Sequence, residues 1–224
     1  MRLINQNDEF KIYKDEHITT KYKIELNEPS IPLINSIKNC RIIPGLTIED
    51  DYKTIHFKAT SVKVLSMMNN LKNFGINEML TLCYYMSLQL KYIITEENMC
   101  FINYDIEKII IVDQNKYFFF SNNNLFPLDS ESENNIYIYR PFKKTIFSSP
   151  ELKNIYNIPT SINYRSIYYS LGLVILYCLR QNMNISEDEW SNENILNMIE
   201  GTKLYHFLKC ALDEDVEKRR LIYL

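Results

Sequence analysis

Hydrophobic and polar positions change their rhythm once along this chain. Over residues 1 to about 60, short runs alternate with period two. "EFKIYKDE" (Glu9 to Glu16), "ITTKYKIEL" (Ile18 to Leu26), "CRIIPGL" (Cys40 to Leu46) and "KTIHFKA" (Lys53 to Ala59) are expected to be strands. Between them, "PSIPLINSIKN" enters a short helix through its prolines. From about residue 61 the spacing lengthens. Met79, Leu82, Cys83, Met86, Leu90 and Ile93 recur at helical intervals, with Asn77 expected as the cap and Glu78 in the first turn. "IIIV" at Ile109 to Val112 and "YFFF" at Tyr117 to Phe120 flank the turn sequence Asp113-Gln114-Asn115-Lys116, which predicts a hairpin. A long irregular segment from Asn122 to Ser149 precedes an apolar helix around Ile167 to Leu179, and two amphipathic stretches close the chain.

Composition narrows the class. The chain has 224 residues, of which 46% are hydrophobic and 24% charged, which is globular and large enough to bury a core. A net charge of −3 with scattered Lys and Arg leaves no basic field for nucleic acid. The five cysteines are widely spaced without a Cys-x-x-Cys pair and the three histidines are isolated, so reduced cysteines of a cytoplasmic protein are expected, with no zinc site. The apolar run from Ile167 to Leu179 is shorter than the roughly 18 residues of a spanning helix, and "MRLINQNDEFKIYKDE" lacks the apolar core of a signal peptide. A soluble protein without membrane contact is the expectation. Abundant Ile, Asn, Lys and Tyr beside scarce Ala is the bias of an AT-rich coding genome, such as that of a large DNA virus or a microsporidian.

Three segments carry a resemblance when taken in order. Ser149-Pro150-Glu151 resembles the Ala-Pro-Glu that closes the activation segment of eukaryotic protein kinases. "YYSLGLVILYCL" resembles the buried central helix of their large lobe, and "LKCALDEDVEKRR" their "L-x-x-C-L-x-x-D-P-x-x-R" near the end. The resemblance is strongest from about Phe74 onward. It implies an α+β, two-lobed protein-kinase-like fold, with a reduced, β-rich N-lobe over residues 1–60 and a mainly helical C-lobe over 61–224. It also implies an ion pair between Glu151 and Arg219; read without the resemblance, Glu151 is a solvated charge. Gly172 costs the helix about 1 kcal/mol of propensity, so close packing is expected there.

The same resemblance implies that catalytic groups are missing. The first glycine is Gly45, beyond the first strands, so no glycine-rich loop covers a nucleotide. Lys21 and Lys23 are weak candidates for the phosphate-contacting lysine, and read first as an exposed strand face. In "FINYDIEKIIIVD", Asn103-Tyr104-Asp105 stands for His-Arg-Asp, Glu107 reverses the charge of a lysine, and the metal-binding asparagine falls on Ile109 or Ile110. Asp105 is then a remnant, or simply a turn cap. The Asp-Phe-Gly aspartate falls on Ser121-Asn122-Asn123 or within "FFFS", and no carboxylate lies between Asp113 and Asp129. The aspartate that braces the catalytic loop from the buried helix falls on Ile167.

The expectation is a pseudokinase: no catalysis, no cofactor and no magnesium-ATP, with action through protein partners as a scaffold or regulatory subunit. The alternatives are an atypical, weakly active serine/threonine kinase that binds ATP through unusual residues, and a purely structural subunit of a larger assembly. Candidate contact surfaces are the segment from Leu125 to Tyr139 and the acidic Glu187-Asp188-Glu189 beside Trp190, the single tryptophan.

Overall fold

The computed structural model describes residues 1–68, 74–132, 134–183 and 192–221. The chain is α+β, with every strand pairing antiparallel. Strands β1 (Arg2–Gln6), β2 (Phe10–Lys14) and β3 (Lys21–Leu26) lead into helix α1 (Ile31–Asn39), followed by β4 (Thr47–Ile48) and β5 (Thr54–Lys58). These strands form one sheet in the order β1-β2-β3-β5-β4. In β3 the alternation is strict: Tyr22, Ile24 and Leu26 are buried, while Lys21, Lys23 and Glu25 lie on the opposite, partly solvated face.

One local expectation is corrected here. Cys40 to Leu46 is a turn and not a strand. Cys40 caps α1, and Arg41 (φ 52°) and Gly45 (φ 67°) adopt left-handed backbone that a strand cannot accommodate, although Ile42 and Ile43 are buried. The N-terminal segment, whose polar residues show no alternation, is strand β1 at the sheet edge, paired to β2 with a bulge between Leu3 and Asn5.

Strand β6 (Val62–Val64) pairs with β8 (Ile109–Val112), which pairs with β9 (Lys116–Phe119). Asp113 and Gln114 both have positive φ (53° and 66°), as the tight β8–β9 connection requires. Helix α2 (Ile76–Glu97) buries the six residues whose spacing predicts it, and also Ser87 and Gln89. It begins two residues earlier than expected: Gly75, not Asn77, is the N-cap, and Asn98 ends it in left-handed conformation. After it come β7 (Met99–Phe101), the β8–β9 hairpin, β10 (Leu125–Pro127) and β11 (Asn135–Ile138). Strand β7 pairs with β10, and β11 with β12 (Thr160–Asn163).

The remaining elements are helices: α3 (Pro150–Lys153), α4 (Ser166–Met183), α5 (Asn192–Met198) and α6 (Lys203–Ala211). Helix α4 packs against α2, α3, α5 and α6, burying Ile167, Leu171, Val174, Ile175, Cys178 and Leu179. It is therefore the centre of this helical part. Among the described residues, no helix is long and apolar enough to cross a membrane.

Candidate functional site

The turn between β1 and β2 reaches across to the second half of the chain. Asn7 closes it by accepting the amides of Glu9 (2.8 Å) and Phe10 (2.9 Å) on its Oδ1, a local geometry that asparagine favours. Glu9 is thereby turned inward and is only 5% exposed. Its Oε1 forms an ion pair with Lys108 Nζ and accepts the Ser121 hydroxyl at 2.7 Å, while its Oε2 accepts the Asn123 amide at 2.9 Å. Asn124 Nδ2 donates to Ser121 Oγ (2.9 Å), and Asn7 Nδ2 donates to the Glu107 carbonyl (3.2 Å). Asp8 lies 3.4 Å from the Lys108 ammonium, at the solvent edge.

Burial alone would lower the Lys108 pKa, but the hydrogen bond to Glu9 and the charges of Glu9 and Asp8 outweigh it and raise it. Lys108 is therefore a charged, compensated lysine. Ser121 to Asn123, to which the resemblance assigns the metal aspartate, are engaged by an internal carboxylate.

Asp105 sits in the adjoining turn, 8% exposed. Its Oδ1 accepts the Glu107 amide at 3.0 Å and its carbonyl accepts the Lys108 amide at 3.0 Å. Before it, Asn103 donates to Thr145 Oγ1 (2.9 Å) and accepts the Ser170 hydroxyl (3.1 Å), while Ser170 Oγ accepts the Tyr104 amide (2.9 Å). Ser170, on α4, thus braces this loop from the buried helix, three residues beyond the Ile167 to which that role was assigned. Its hydroxyl was visible in the Ser-Leu-Gly step. Glu9 and Lys108, by contrast, are separated by 99 residues with no local pattern to link them.

Glu151 and Arg219 are brought together. Ser149 caps α3 by accepting the Leu152 amide, Pro150 occupies the first turn, and Glu151 follows it. Arg219 Nη1 and Nη2 donate to the two Glu151 oxygens at 2.9 and 2.8 Å, a bidentate pair. Arg219 Nε donates to the Asp213 carbonyl at 2.7 Å, and the guanidinium lies 4.8 Å from the Tyr169 ring centroid. Burial pushes the Glu151 carboxyl up, and the hydrogen bond and charge of Arg219, with hydrogen bonds from the Glu151 amide and Ser149, together more than reverse this, so its pKa is lowered.

Gly172 meets the C-terminal end of α6. A Cβ built there would lie 2.7 Å from Leu212 Cδ2 and 2.9 Å from its Cγ. Lys21 and Lys23 lie on the outer face of β3. Lys23 is paired with Glu25 at 2.8 Å and sits 4.6 Å from the Tyr13 ring, and the hydrogen bond to Glu25 raises its pKa. Trp190, Glu187 and Asp188 lie outside the described residues. The five cysteines are free thiols. Among the described residues, no group of three His, Cys, Asp or Glu side chains could hold a metal ion. No protein-family model matches the chain, and neither does any curated protein.

Proposed function

We propose that the chain is a degenerate protein kinase, a two-lobed pseudokinase that transfers no phosphate and acts as a scaffold or regulatory subunit by binding other proteins. The observation that carries this reading is the Glu9 carboxylate, held at once by Lys108, Ser121 and the Asn123 amide. A nucleotide's triphosphate approaching those groups would meet an internal anion already using their donors. Phosphoryl transfer depends on neutralising phosphate charge with metal ions and cations, and this arrangement opposes it. The Glu151–Arg219 pair supports the kinase resemblance, which implies an ion pair between those two residues.

Asp105→Asn tests the reading. Asparagine can still accept the Glu107 amide, so the variant should fold and capture the same partners as the parent chain from an extract of the source organism. Loss of biological activity with folding and capture intact would make the protein a catalyst, and the weakly active kinase would replace the pseudokinase.

A further inference from the structure

One strip of surface combines exposed aromatic rings with uncompensated positive charge. Two ties hold its backbone. At one end Ile138 of β11 is registered against Thr160 of β12; at the other, Lys144 Nζ donates to the carbonyls of Lys153 (2.8 Å) and Ile155 (2.7 Å). Residues 138–144 and 153–160 therefore run side by side. Because Ile136 and Ile138 face inward, Tyr137 and Tyr139 face out, their rings stacked 6.1 Å apart. Across the strip Tyr156 is 86% exposed and Ile146 71%. Lys144 Nζ lies 5.3 Å from the Tyr156 ring centroid. Isolated exposed apolar side chains are ordinary, whereas several on two adjoining segments are a candidate contact surface.

The charge is one-sided. From residue 134 to 160 the charged side chains are Arg140, Lys143, Lys144, Lys153 and one carboxylate, Glu151. That carboxylate is consumed by Arg219. Arg140 is fixed by donating to the Asn122 and Leu125 carbonyls at 2.9 and 3.0 Å, with its guanidinium 4.8 Å from the Phe126 ring and 5.9 Å from the Tyr139 ring. Arg140 is half-buried, and a carboxylate is the acceptor that suits a guanidinium best. The flanking acids come before the strip or lie at its edge: Asp129, Glu131 and Glu133 precede β11 in sequence, Asp129 holding Ser161 at the far end of that strand, and Asp8 shares a cleft with Arg140 and Lys143.

We propose that this strip docks an acidic, apolar-containing segment of a partner protein. The carboxylates of that segment would meet Arg140, Lys143 and Lys153, and its apolar side chains would pack on Tyr139 and Tyr156. A protein is favoured over nucleic acid because exposed Ile146 and Ile158 call for apolar cover. The proposal rests on the reading of the chain as a binding module and deepens it by naming the surface and the partner's chemistry.

The test uses the full chain and a short fluorescent peptide of alternating glutamate and leucine, with a lysine–leucine peptide as control, followed by anisotropy at low and high salt. The acidic peptide should bind, the basic one should not, and salt should weaken binding. Lys143→Glu combined with Lys153→Glu, both at exposed positions, should weaken it roughly tenfold, and Tyr156→Ser should weaken it without changing the salt dependence. Equal binding of both peptides, unchanged binding by both variants, or tighter binding of a single-stranded oligonucleotide would overturn the proposal. No nucleotide is present, so failure here leaves the pseudokinase reading standing, and a magnesium-dependent response to ATP would defeat that reading without touching the strip.

Discussion

Arg219 is completely buried, and both of its terminal nitrogens rest on the Glu151 carboxylate. The pair joins the short helix α3 to the end of the described chain, with Tyr169 of α4 against the guanidinium. A buried guanidinium is tolerable only while it is compensated. Glu151→Ala leaves it with the carbonyls of Asp213 and Glu214 alone. The expected loss is about 3 kcal/mol, at the lower end for a broken buried pair because the Glu151 side chain is a quarter exposed. Urea unfolding of parent and variant at neutral pH measures it; a difference near zero would make the pair incidental.

The same pair sets a pH dependence. The Glu151 carboxyl titrates below its ordinary value of 4.5. A depressed folded pKa contributes stability that is fully present above the unfolded value and lost as pH falls through the folded one. The stability gap between the parent and Glu151→Gln should therefore hold constant from neutral pH to about 4.5 and shrink below it. Lys108 behaves oppositely. Its raised pKa gives a contribution fully present below its ordinary 10.5 and lost only as pH rises through the higher folded value. Denaturant unfolding at stepped pH distinguishes the two limbs.

Gly172 is a packing glycine, so substitution there should couple to Leu212 and not to a hinge. Alanine would gain about 1 kcal/mol of helix propensity. It would also force Leu212 aside, at an overpacking cost of about 1–3 kcal/mol. Gly172→Ala is expected to be destabilised by about 1 kcal/mol, and in a Leu212→Ala background the same change should become stabilising. A double-mutant cycle from urea melts gives the coupling; additivity would remove the packing explanation.

Periodicity made much of the fold legible. Helix α2, the β8–β9 hairpin and the apolar helix α4 follow from residues that face one core, and each lies close to its expected place. Cys40 to Leu46 misled because burial of Ile42 and Ile43 imitates a strand while Arg41 turns the chain left-handed. Asn77 misled as a cap because Gly75 starts the helix two residues sooner. At the candidate site, the Glu151–Arg219 pair was reached through segment resemblance, whereas Glu9 was not. A carboxylate after Asn7-Asp8 reads as a surface turn, and only the folded chain aims it at Lys108 and Ser121.

That internal clamp is open to direct challenge. Glu9→Ala strands a lysine whose side chain is only 7% exposed, with Asp8 as its remaining partner. The expected loss is about 3–5 kcal/mol. Replacing both partners, as Glu9→Leu with Lys108→Met, should recover part of it, because the charges are removed together while the Ser121 hydroxyl and the Asn123 amide lose their acceptor. If the double variant is no more stable than Glu9→Ala, the ion pair is not what the clamp contributes.

The central claim is that the chain binds no magnesium-ATP and works as a binding module, and thermal unfolding with ATP, with and without magnesium, tests it most directly. Ligand in hundredfold excess over its dissociation constant would stabilise the fold by about 2.7 kcal/mol, a readily measured rise in melting temperature. The account predicts the same melting temperature in buffer, in ATP and in ATP with magnesium. A clear rise that requires magnesium would contradict it and favour the atypical, ATP-binding kinase instead.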